Sequence, residues 1–476
     1  MIAASVLGSG IAAIDSTVVG IALPAIGRGF HTGVAPLQWV VTGYMLTLAS
    51  LLLVGGSLSD RFGRRRVFQI GVVWFALASA GCGLAPDARF LIGMRVLQGV
   101  GGALLTPGSL AILQASFVPA DRGRAIGAWS GLGGVATAVG PLLGGYLISA
   151  ASWRWIFFVN VPVALAVLWL TARHVPESSD PSVSGRVDFA GAASVTAGLG
   201  SLTFLLIEGP SLGWSSPSVL GAVGLAVVTL GSFSLIERRS SEPMLPLEIF
   251  RLRQFSATNA VTFVMYAALG GALFLLPVEL QVASRYSPLG AGAALLPLTV
   301  IMLLFSARSG RLASRIGPRA QMSAGPVLVG AGLVLMARVT DGGSYFTAVL
   351  PGVFVLGIGL ATLVAPLTAT AMGAVPGEHA GLASAVNNDV ARVGGLIAVA
   401  VLPALAGITG SSYLHRAQLS AGFRTAMIVS AAACGLAGAM AALTIVNPPR
   451  VEEGAECLHC GLDGPPLLVR GRTSES

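Results

Sequence analysis

The chain has 476 residues, of which 54% are hydrophobic and only 10% are charged, and its mean hydropathy is +0.82. Ordinary soluble domains carry about 25% charged residues, so a chain this apolar could not cover its surface with polar groups. The same composition excludes intrinsic disorder. The net charge of +8 is spread through short loops without a contiguous basic patch, which argues against a nucleic-acid partner. We therefore predict that a lipid bilayer is the solvent for most of the chain.

Apolar runs that are long enough to span a membrane, at roughly 20 residues each, follow one another along the chain. We predict 14 spans, at residues 3–26, 36–58, 68–85, 88–115, 124–149, 154–172, 187–207, 216–236, 255–279, 289–307, 320–338, 344–370, 381–408 and 421–445. Gly and Pro inside these runs are compatible with helices, because neighbouring spans can satisfy the freed backbone groups. The first run is too long for a cleaved signal peptide and lacks a basic leading segment.

Arginine placement predicts the orientation of these spans. All 28 basic residues are Arg, and most of them fall in loops on one side, including Arg61, Arg64, Arg65, Arg66, Arg308, Arg311, Arg315 and Arg319. The positive-inside rule puts that side in the cytoplasm. We therefore expect a multi-pass protein of the bacterial inner (plasma) membrane with both termini cytoplasmic.

A short pattern occurs twice and predicts the domain organisation. Residues 56–65 read G-S-L-S-D-R-F-G-R-R after the second run, and residues 310–319 read G-R-L-A-S-R-I-G-P-R after the tenth. A six-span repeat with two extra spans between the halves gives this spacing, and duplicated halves are the plan of many secondary transporters. In chain order, we predict a six-helix bundle at 1–172, an inserted helix pair with cytoplasmic linkers at 173–253, a second six-helix bundle at 254–445 and a cytoplasmic tail at 446–476.

The first copy of this pattern resembles the signature loop of the major facilitator superfamily. The residues that carry the resemblance are Gly56, Asp60, Arg61, Gly63, Arg64 and Arg65. The glycines allow a tight turn, and Asp60 among the arginines can form charge pairs at the cytoplasmic mouth, so a gating role is expected. The alternative is a topogenic anchor, which explains the arginines but neither Asp60 nor the glycine spacing. The second copy has Ser314 in place of Asp60, so its contribution should be weaker.

Further stretches are similar to the 14-span drug:proton antiporter branch of that superfamily. The antiporter motif is represented by Gly140, Pro141, Gly144 and Gly145, although Ala136 stands where a further Gly is usual. Span 1 around Asp15, span 4 around Arg95, residues 153–162 and Asn387-Asn388 also match. The resemblance implies an all-α integral membrane protein with the major facilitator fold, in which two six-helix bundles flank two inserted helices. Ordinary helix packing is the competing interpretation of Gly140-Pro141.

Asp15 and Arg95 are the candidates for proton coupling. Asp15 lies about 12 residues, or ~18 Å, from the cytoplasmic end of its span, and Arg95 lies ~10 Å deep from the opposite side. A charge at that depth costs several kcal/mol unless it is protonated, paired or wetted. We predict a pair or a water-bridged relay if spans 1 and 4 are adjacent. The alternatives are a hydrogen-bonding Asp15 at a kink and an Arg95 that ties backbone carbonyls together.

Other polar residues within the spans are candidates for lining a substrate cavity. These candidates are Gln38, Tyr44, Gln98, Asn160, Glu279, Asn387, Asn388, Asp389 and Arg392. Asp389 and Arg392 are three positions apart on one helical face and have a competing role in neutralising each other. For Glu279, at the outer end of span 9, the competing interpretation is an interface residue.

The resemblance implies a proton-coupled secondary active transporter that exports lipophilic small molecules, such as drugs or antibiotics, by alternating access. The chain is not expected to be an enzyme, and its partners should be the small-molecule substrate, protons and the bilayer. The alternatives are a dedicated exporter of one endogenous metabolite, an importer, or a transport-inactive membrane sensor or scaffold.

No cofactor or metal is expected, with the proton gradient as the energy source. A P-loop needs a lysine that this chain lacks, which argues against an ATP-driven pump. Cys457 and Cys460 form a lone C-x-x-C beside His459, which is an incomplete zinc site. An incidental reduced pair is the alternative.

Overall fold

The computed structural model describes residues 1–117, 119–179, 188–240, 245–339, 343–376, 380–411, 413 and 415–447. Cys457, Cys460 and nearly all of the expected tail lie outside these residues. The described part contains 14 helices that are long and apolar enough to cross a membrane, which confirms the predicted number of spans.

The helices, numbered in chain order, are α1 Ile2–Phe30, α2 Val34–Phe62, α3 Arg64–Gly83, α4 Ala88–Ser116, α5 Pro119–Ala150, α6 Trp155–His174, α7 Phe189–Leu212, α8 Pro217–Arg239, α9 Arg253–Val282, α10 Pro288–Ile316, α11 Pro318–Met336, α12 Tyr345–Gly373, α13 Ala380–Leu405 and α14 Arg416–Thr444. A short 3₁₀ helix, Leu247–Arg251, precedes α9. Most helices extend beyond the predicted apolar runs because polar residues continue them into the interface.

Local sequence explains where several helices begin and end. Asp87 caps α4 by accepting a hydrogen bond from the backbone N–H of Phe90 at 2.9 Å. Gly63 ends α2 at φ +106°, and Gly317 ends α10 at φ +86°, in a region of backbone space that favours glycine. The two glycines occupy equivalent places in the duplicated pattern, so both copies use the same turn.

The helices form two bundles with the same internal packing. In the first bundle, α1 packs on α5, and α4 packs on α2 and α3; in the second, α9 packs on α13 and α14, and α12 packs on α10 and α11. The pair α7 and α8 pack on each other, and α7 also contacts α2 of the first bundle and α13 of the second. The inserted pair therefore lies along a seam between the bundles.

The sixth helix of each bundle is followed by a side chain that caps the helix after the duplicated turn. Glu177 accepts hydrogen bonds from the backbone N–H groups of Arg65 at 3.0 Å and Arg66 at 3.2 Å. Asn447 accepts one from the backbone N–H of Arg319 at 3.0 Å. Unpaired N–H groups at a helix start need such acceptors. In each bundle, the segment after the sixth helix is therefore tied to the start of the third helix at the arginine-rich end.

The hydrogen bonds that join the two bundles cluster at the end opposite the arginine-rich loops. The backbone N–H of Val34 donates to the carbonyl of Gly410 at 3.0 Å. The amide of Gln38 donates to the carbonyls of Val399 at 2.7 Å and Ala400 at 3.0 Å. These contacts seal the opposite end, hereafter called the sealed end.

Candidate functional site

A buried ion pair lies inside the first bundle, between α1 and α4. One carboxylate oxygen of Asp15 is 2.5 Å from a guanidinium nitrogen of Arg95, and each residue is only 1% exposed. The other carboxylate oxygen accepts hydrogen bonds from the amides of Gln98 at 2.9 Å and Asn160 at 3.2 Å. The carboxylate therefore joins three helices, α1, α4 and α6.

The guanidinium of Arg95 has partners besides Asp15. Its Nε donates to the carbonyl of Val40 at 3.0 Å, and its Nη1 also donates to the amide oxygen of Gln98 at 2.7 Å. The guanidinium carbon lies 4.3 Å from the centre of the Tyr44 ring, which is a cation–π arrangement. Arg95 therefore has both the pairing expected with Asp15 and the tie to a backbone carbonyl that was its alternative.

The network continues from Asn160 into α3. Its amide donates to the hydroxyl of Ser79 at 3.0 Å, and that hydroxyl donates to the carbonyl of Phe157 at 2.9 Å. Every side chain that makes these bonds is at least 97% buried. Removing either partner of a buried ion pair leaves an uncompensated charge, so Asp15 and Arg95 hold several helices together through one network.

The signature loop forms its ion pair within the first bundle. Oδ1 of Asp60 accepts from Nε of Arg64 at 2.9 Å and from its Nη2 at 2.8 Å. Arg65 donates to the carbonyl of Ala172 at 3.1 Å, which ties the loop to α6. Arg61 is exposed, with its guanidinium 5.6 Å from the ring of Phe62. Gly56 lies on α2 next to Pro107 of α4.

The glycines of the antiporter motif lie where α5 contacts two other helices. A Cβ on Gly140 would overlap the Thr17 hydroxyl of α1, and one on Gly144 would lie 2.9 Å from a methyl of Val18. A Cβ on Gly145 would lie 2.6 Å from the Cα of Leu289, which belongs to α10 of the second bundle. The motif thus permits close packing both within the first bundle and across to the second.

Gly292 of α10 completes this contact between the bundles. A Cβ there would overlap the carbonyl oxygen of Pro141. Pro141 and Gly292 therefore approach backbone to backbone, which only glycine allows. Gly292 was not predictable from the duplicated pattern, because nothing in the sequence places the start of span 10 against the middle of span 5.

Tyr413 reinforces the sealed end from a loop between α13 and α14. Its hydroxyl donates to the carbonyl of Thr32 at 2.6 Å. Burial raises the pKa of the Tyr413 phenol, and nearby Arg28 opposes that shift. The hydroxyl therefore remains protonated and able to donate at neutral and moderately alkaline pH.

The remaining cavity candidates have different environments. Glu279 is fully buried, and its carboxylate accepts from the Ser420 hydroxyl at 2.7 Å. The amide of Asn387 donates to Asn259 at 3.1 Å and to Thr262 at 2.8 Å, joining α13 to α9. Both are held between helices rather than exposed on a cavity wall, as are Gln38, Tyr44, Gln98 and Asn160.

The neighbouring candidates on α13 are more accessible. Asn388 is exposed and donates to the carbonyl of Ser384 at 2.9 Å. Asp389 and Arg392 are half-buried, and no ion pair joins them among the described residues. Although Asp389 and Arg392 are three positions apart, their side chains therefore form no direct ion pair in the described part of the chain.

No group of His, Cys, Asp and Glu that could hold a metal occurs in the described part of the chain. Cys82 and Cys434 are buried and free. Glu177 and Asn447 share a capping role but not a residue type, and neither was among the predicted site residues. Glu177 could have been found as an acidic residue soon after the sixth span, in a chain with an arginine-rich loop on the same side. The sequence contains no comparable signal for Asn447.

Comparison with known families gives one family model. The model of the Major Facilitator Superfamily matches residues 5–399 and, in a second match, residues 258–456. The second match covers the second bundle, in agreement with the duplicated pattern.

Three similar proteins are resistance or export proteins of bacteria. The tetracenomycin C resistance and export protein of Streptomyces glaucescens is 36% identical over 394 residues, covering 83% of this chain and 73% of its own length. The multidrug resistance protein Stp of Mycobacterium tuberculosis is 37% identical over 390 residues, with 82% and 72% covered. The methylenomycin A resistance protein of Streptomyces coelicolor is 34% identical over 422 residues, with 88% of each covered.

Solved transporter structures share the fold. A bacterial homologue of the human lysosomal transporter Spinster, inward-facing and unoccupied, has a TM-score of 0.66 at 18% identity, covering 93% of this chain and 96% of that one. The xylose transporter XylE of E. coli, inward open, has a TM-score of 0.62 at 14% identity, covering 94% and 96%. The agreement at such low identity concerns the fold alone.

Proposed function

This chain belongs to the Major Facilitator Superfamily, whose members are transporters rather than enzymes, and from that premise we propose that it is a proton-coupled exporter of lipophilic small molecules such as antibiotics. Its similarity to resistance and export proteins supports the direction of transport and the class of substrate. The buried Asp15–Arg95 pair is the observation that carries the proposed proton coupling.

The coupling step is the loss of the ion pair between Asp15 and Arg95. The deprotonated carboxylate pairs with Arg95 and accepts from Gln98 and Asn160. When Asp15 takes up a proton, the attraction to Arg95 is lost, and the guanidinium retains the Val40 carbonyl and the Tyr44 ring as partners. Because these bonds join α1, α2, α4 and α6, the first bundle has different internal packing in the two protonation states.

Alternating access requires that the contacts between the bundles break at one end and form at the other. The sealed end depends on hydrogen bonds from Val34, Gln38 and Tyr413 and on the close approach of Gly145 and Gly292 to the opposite bundle. We assign the sealed end to the outside and the arginine-rich end to the cytoplasm of a bacterial inner membrane, with both termini cytoplasmic. Protonation from outside and release inside would then drive export.

The function is tested in inverted membrane vesicles that contain the protein. We expect a lipophilic antibiotic to accumulate inside the vesicles only when their lumen is acidic, and to leave when an ionophore collapses the pH gradient. Vesicles without the protein are the control. Accumulation that is insensitive to the ionophore would exclude proton coupling; an importer would move substrate the other way, and a scaffold would give no exchange.

The signature loop gives a second test, since Asp60 is its only acidic residue and pairs with Arg64. We expect Asp60→Asn to lower transport ~10-fold while membrane insertion stays normal, because a partly exposed pair contributes only about 0–1 kcal/mol to stability. The initial rate of efflux, normalised to the amount of protein in the membrane, is the measurement.

Ser314→Asn is the matched control, because Ser314 stands at the same place in the second copy and its hydroxyl donates only to the carbonyl of Arg311 at 2.8 Å. This control should transport as the unaltered protein does. Normal efflux by a normally inserted Asp60→Asn variant would reduce the loop to a topogenic anchor.

A further inference from the structure

A pocket with three arginines lies at the sealed end, where α1 of the first bundle meets α9 and α14 of the second. Its volume is about 360 Å³. The arginines come from three different segments, namely α1, the turn after α9 and the start of α14. We call this cavity the bridging pocket, and the lining residues used below are Arg28, Gln281, Arg285, Tyr413 and Arg416.

The bridging pocket carries an excess of positive charge. Arg28 and Arg285 are exposed, and neither forms an ion pair with any described residue. Within the described ranges, no carboxylate lines the pocket. Glu279, on the adjoining turn of α9, is fully buried, and its carboxylate accepts from the Ser420 hydroxyl of α14. One buried carboxylate does not balance three guanidinium groups, so the pocket attracts an anion.

Arg285 occupies the pocket with an unfavourable backbone conformation. Its φ is +58°, in the left-handed region that L side chains rarely adopt. It follows the end of α9, where the backbone N–H of Tyr286 donates to the carbonyl of Leu280 at 2.8 Å. Glycine is the usual residue at such a helix end. The turn therefore does not explain an arginine at this position, whereas a role for the guanidinium in the pocket does.

Two further groups determine which kind of anion fits. Arg416 is the first residue of α14, and the preceding His415 makes no capping hydrogen bond with its side chain. Backbone N–H groups at a helix start attract oxyanions. Gln281 is only 7% exposed; its amide nitrogen donates to the carbonyl of Ile21 at 2.8 Å, but its Oε1 accepts from no residue that the structure describes. Since a buried acceptor needs a donor, a ligand with both negative oxygens and a hydroxyl satisfies the pocket.

We propose that the bridging pocket binds a phosphate compound that carries a hydroxyl group, either free phosphate or the headgroup of an anionic phospholipid such as phosphatidylglycerol. Arg28, Arg285 and the start of α14 hold the negative oxygens, and Gln281 accepts from the hydroxyl. Arg28 belongs to the first bundle and the other groups belong to the second. Tyr413, on the same wall, also joins the bundles through its hydrogen bond to Thr32. A bound phosphate therefore adds to the contacts that close the sealed end.

The test measures binding of radiolabelled inorganic phosphate to the purified full-length protein in detergent, at constant ionic strength so that general screening stays the same. We expect Arg28→Gln and Arg285→Gly each to weaken binding of phosphate ~10-fold or more, because a charge-assisted hydrogen bond is lost. Sulfate, which has no hydroxyl at neutral pH, should compete ~10-fold less well than unlabelled phosphate, since it leaves Gln281 without a donor. Gln281→Met should remove most of this preference.

Two measurements separate loss of the site from loss of the fold. Glycine suits the left-handed turn after α9, so Arg285→Gly should keep the unfolding temperature of the unaltered protein when no phosphate is present. Arg89→Gln is the matched control for charge, because Arg89 is an exposed arginine at the start of α4, at the same end of the molecule, and does not line the pocket. This control should bind phosphate as the unaltered protein does.

Short-chain phosphatidylglycerol and phosphatidylcholine, used as competitors, distinguish the two sources of phosphate. Displacement of the label by phosphatidylglycerol alone would assign the site to a lipid headgroup, and displacement by neither lipid would assign it to free phosphate; either result supports the site. No binding of phosphate by the unaltered protein, or unchanged binding in both Arg28→Gln and Arg285→Gly, would overturn the proposal. The arginines would then serve only to balance the C-terminal ends of α1 and α9.

Discussion

Replacing Asp15 with asparagine is expected to abolish efflux that is driven by a pH gradient. Asparagine keeps the size of the side chain and cannot take up the proton that coupling requires. The substitution also leaves the guanidinium of Arg95, which is 1% exposed, without its carboxylate. Removing one partner of a buried ion pair costs about 3–5 kcal/mol, so the single variant is expected to lose stability as well.

The double variant Asp15→Asn with Arg95→Gln separates coupling from stability. It removes both charges, so thermal stability should return toward that of the unaltered protein. We expect exchange of labelled for unlabelled substrate across proteoliposomes to persist, while accumulation against a gradient remains absent. Uphill transport by the double variant would show that the pair is structural and would move the coupling role to another carboxylate, such as Glu279 or Asp389.

Replacing Gly292 with alanine is expected to open the sealed end and to lower transport ~10-fold or more. The added methyl group would overlap the carbonyl oxygen of Pro141, so α5 and α10 must move apart. Overpacking of this kind costs about 1–3 kcal/mol, which is enough to change the populations of two conformations several-fold or more. The substitution should therefore favour the conformation in which these helices are separated.

The opening can be measured with an impermeant thiol reagent on intact cells that carry Val34→Cys. Val34 is 5% exposed and its backbone bond to Gly410 does not depend on its side chain. Labelling should be faster when Gly292→Ala is added. Gly93→Ala is the control, because a Cβ there meets no described atom within 4 Å. Unchanged labelling and normal transport in Gly292→Ala would contradict the prediction, because the added methyl group would then be accommodated without opening the sealed end.

The membrane fold was largely predictable because hydropathy reports the solvent directly. Fourteen apolar runs predicted fourteen spanning helices, and the duplicated pattern around Gly63 and Gly317 predicted where two of them turn. The capping by Glu177 and Asn447 was not predictable as a repeat, because a carboxylate and an amide can make the same bond to a helix start. Comparing the sequences of the two halves matches residue types, whereas the two halves share only a hydrogen-bond acceptor at this position.

The candidate site was only partly predictable from the sequence. The depths of Asp15 and Arg95 predicted that the two could meet, and they do. Gln98 and Asn160 were interpreted as cavity residues, yet both donate to Asp15. Their burial depends on which neighbouring helix each side chain meets, and an apolar run around the whole helix circumference gives no preferred face from which to infer this. The position of α7 and α8 along the seam between the bundles was not specified by any sequence motif.

Most of the surface of α8 faces lipid rather than protein, so the bilayer influences the position of this helix. Only 11% of the most apolar stretch of α8 is buried, and Leu220, Val227 and Val228 are exposed. A helix of 23 residues is ~34 Å long, against a hydrocarbon layer of ~30 Å. Such a helix adjusts its tilt to the thickness of the surrounding lipid. Because α8 packs on α7, we expect acyl-chain length to change how these two helices lie against each other, so that the lipid composition of the host membrane acts on the inserted pair.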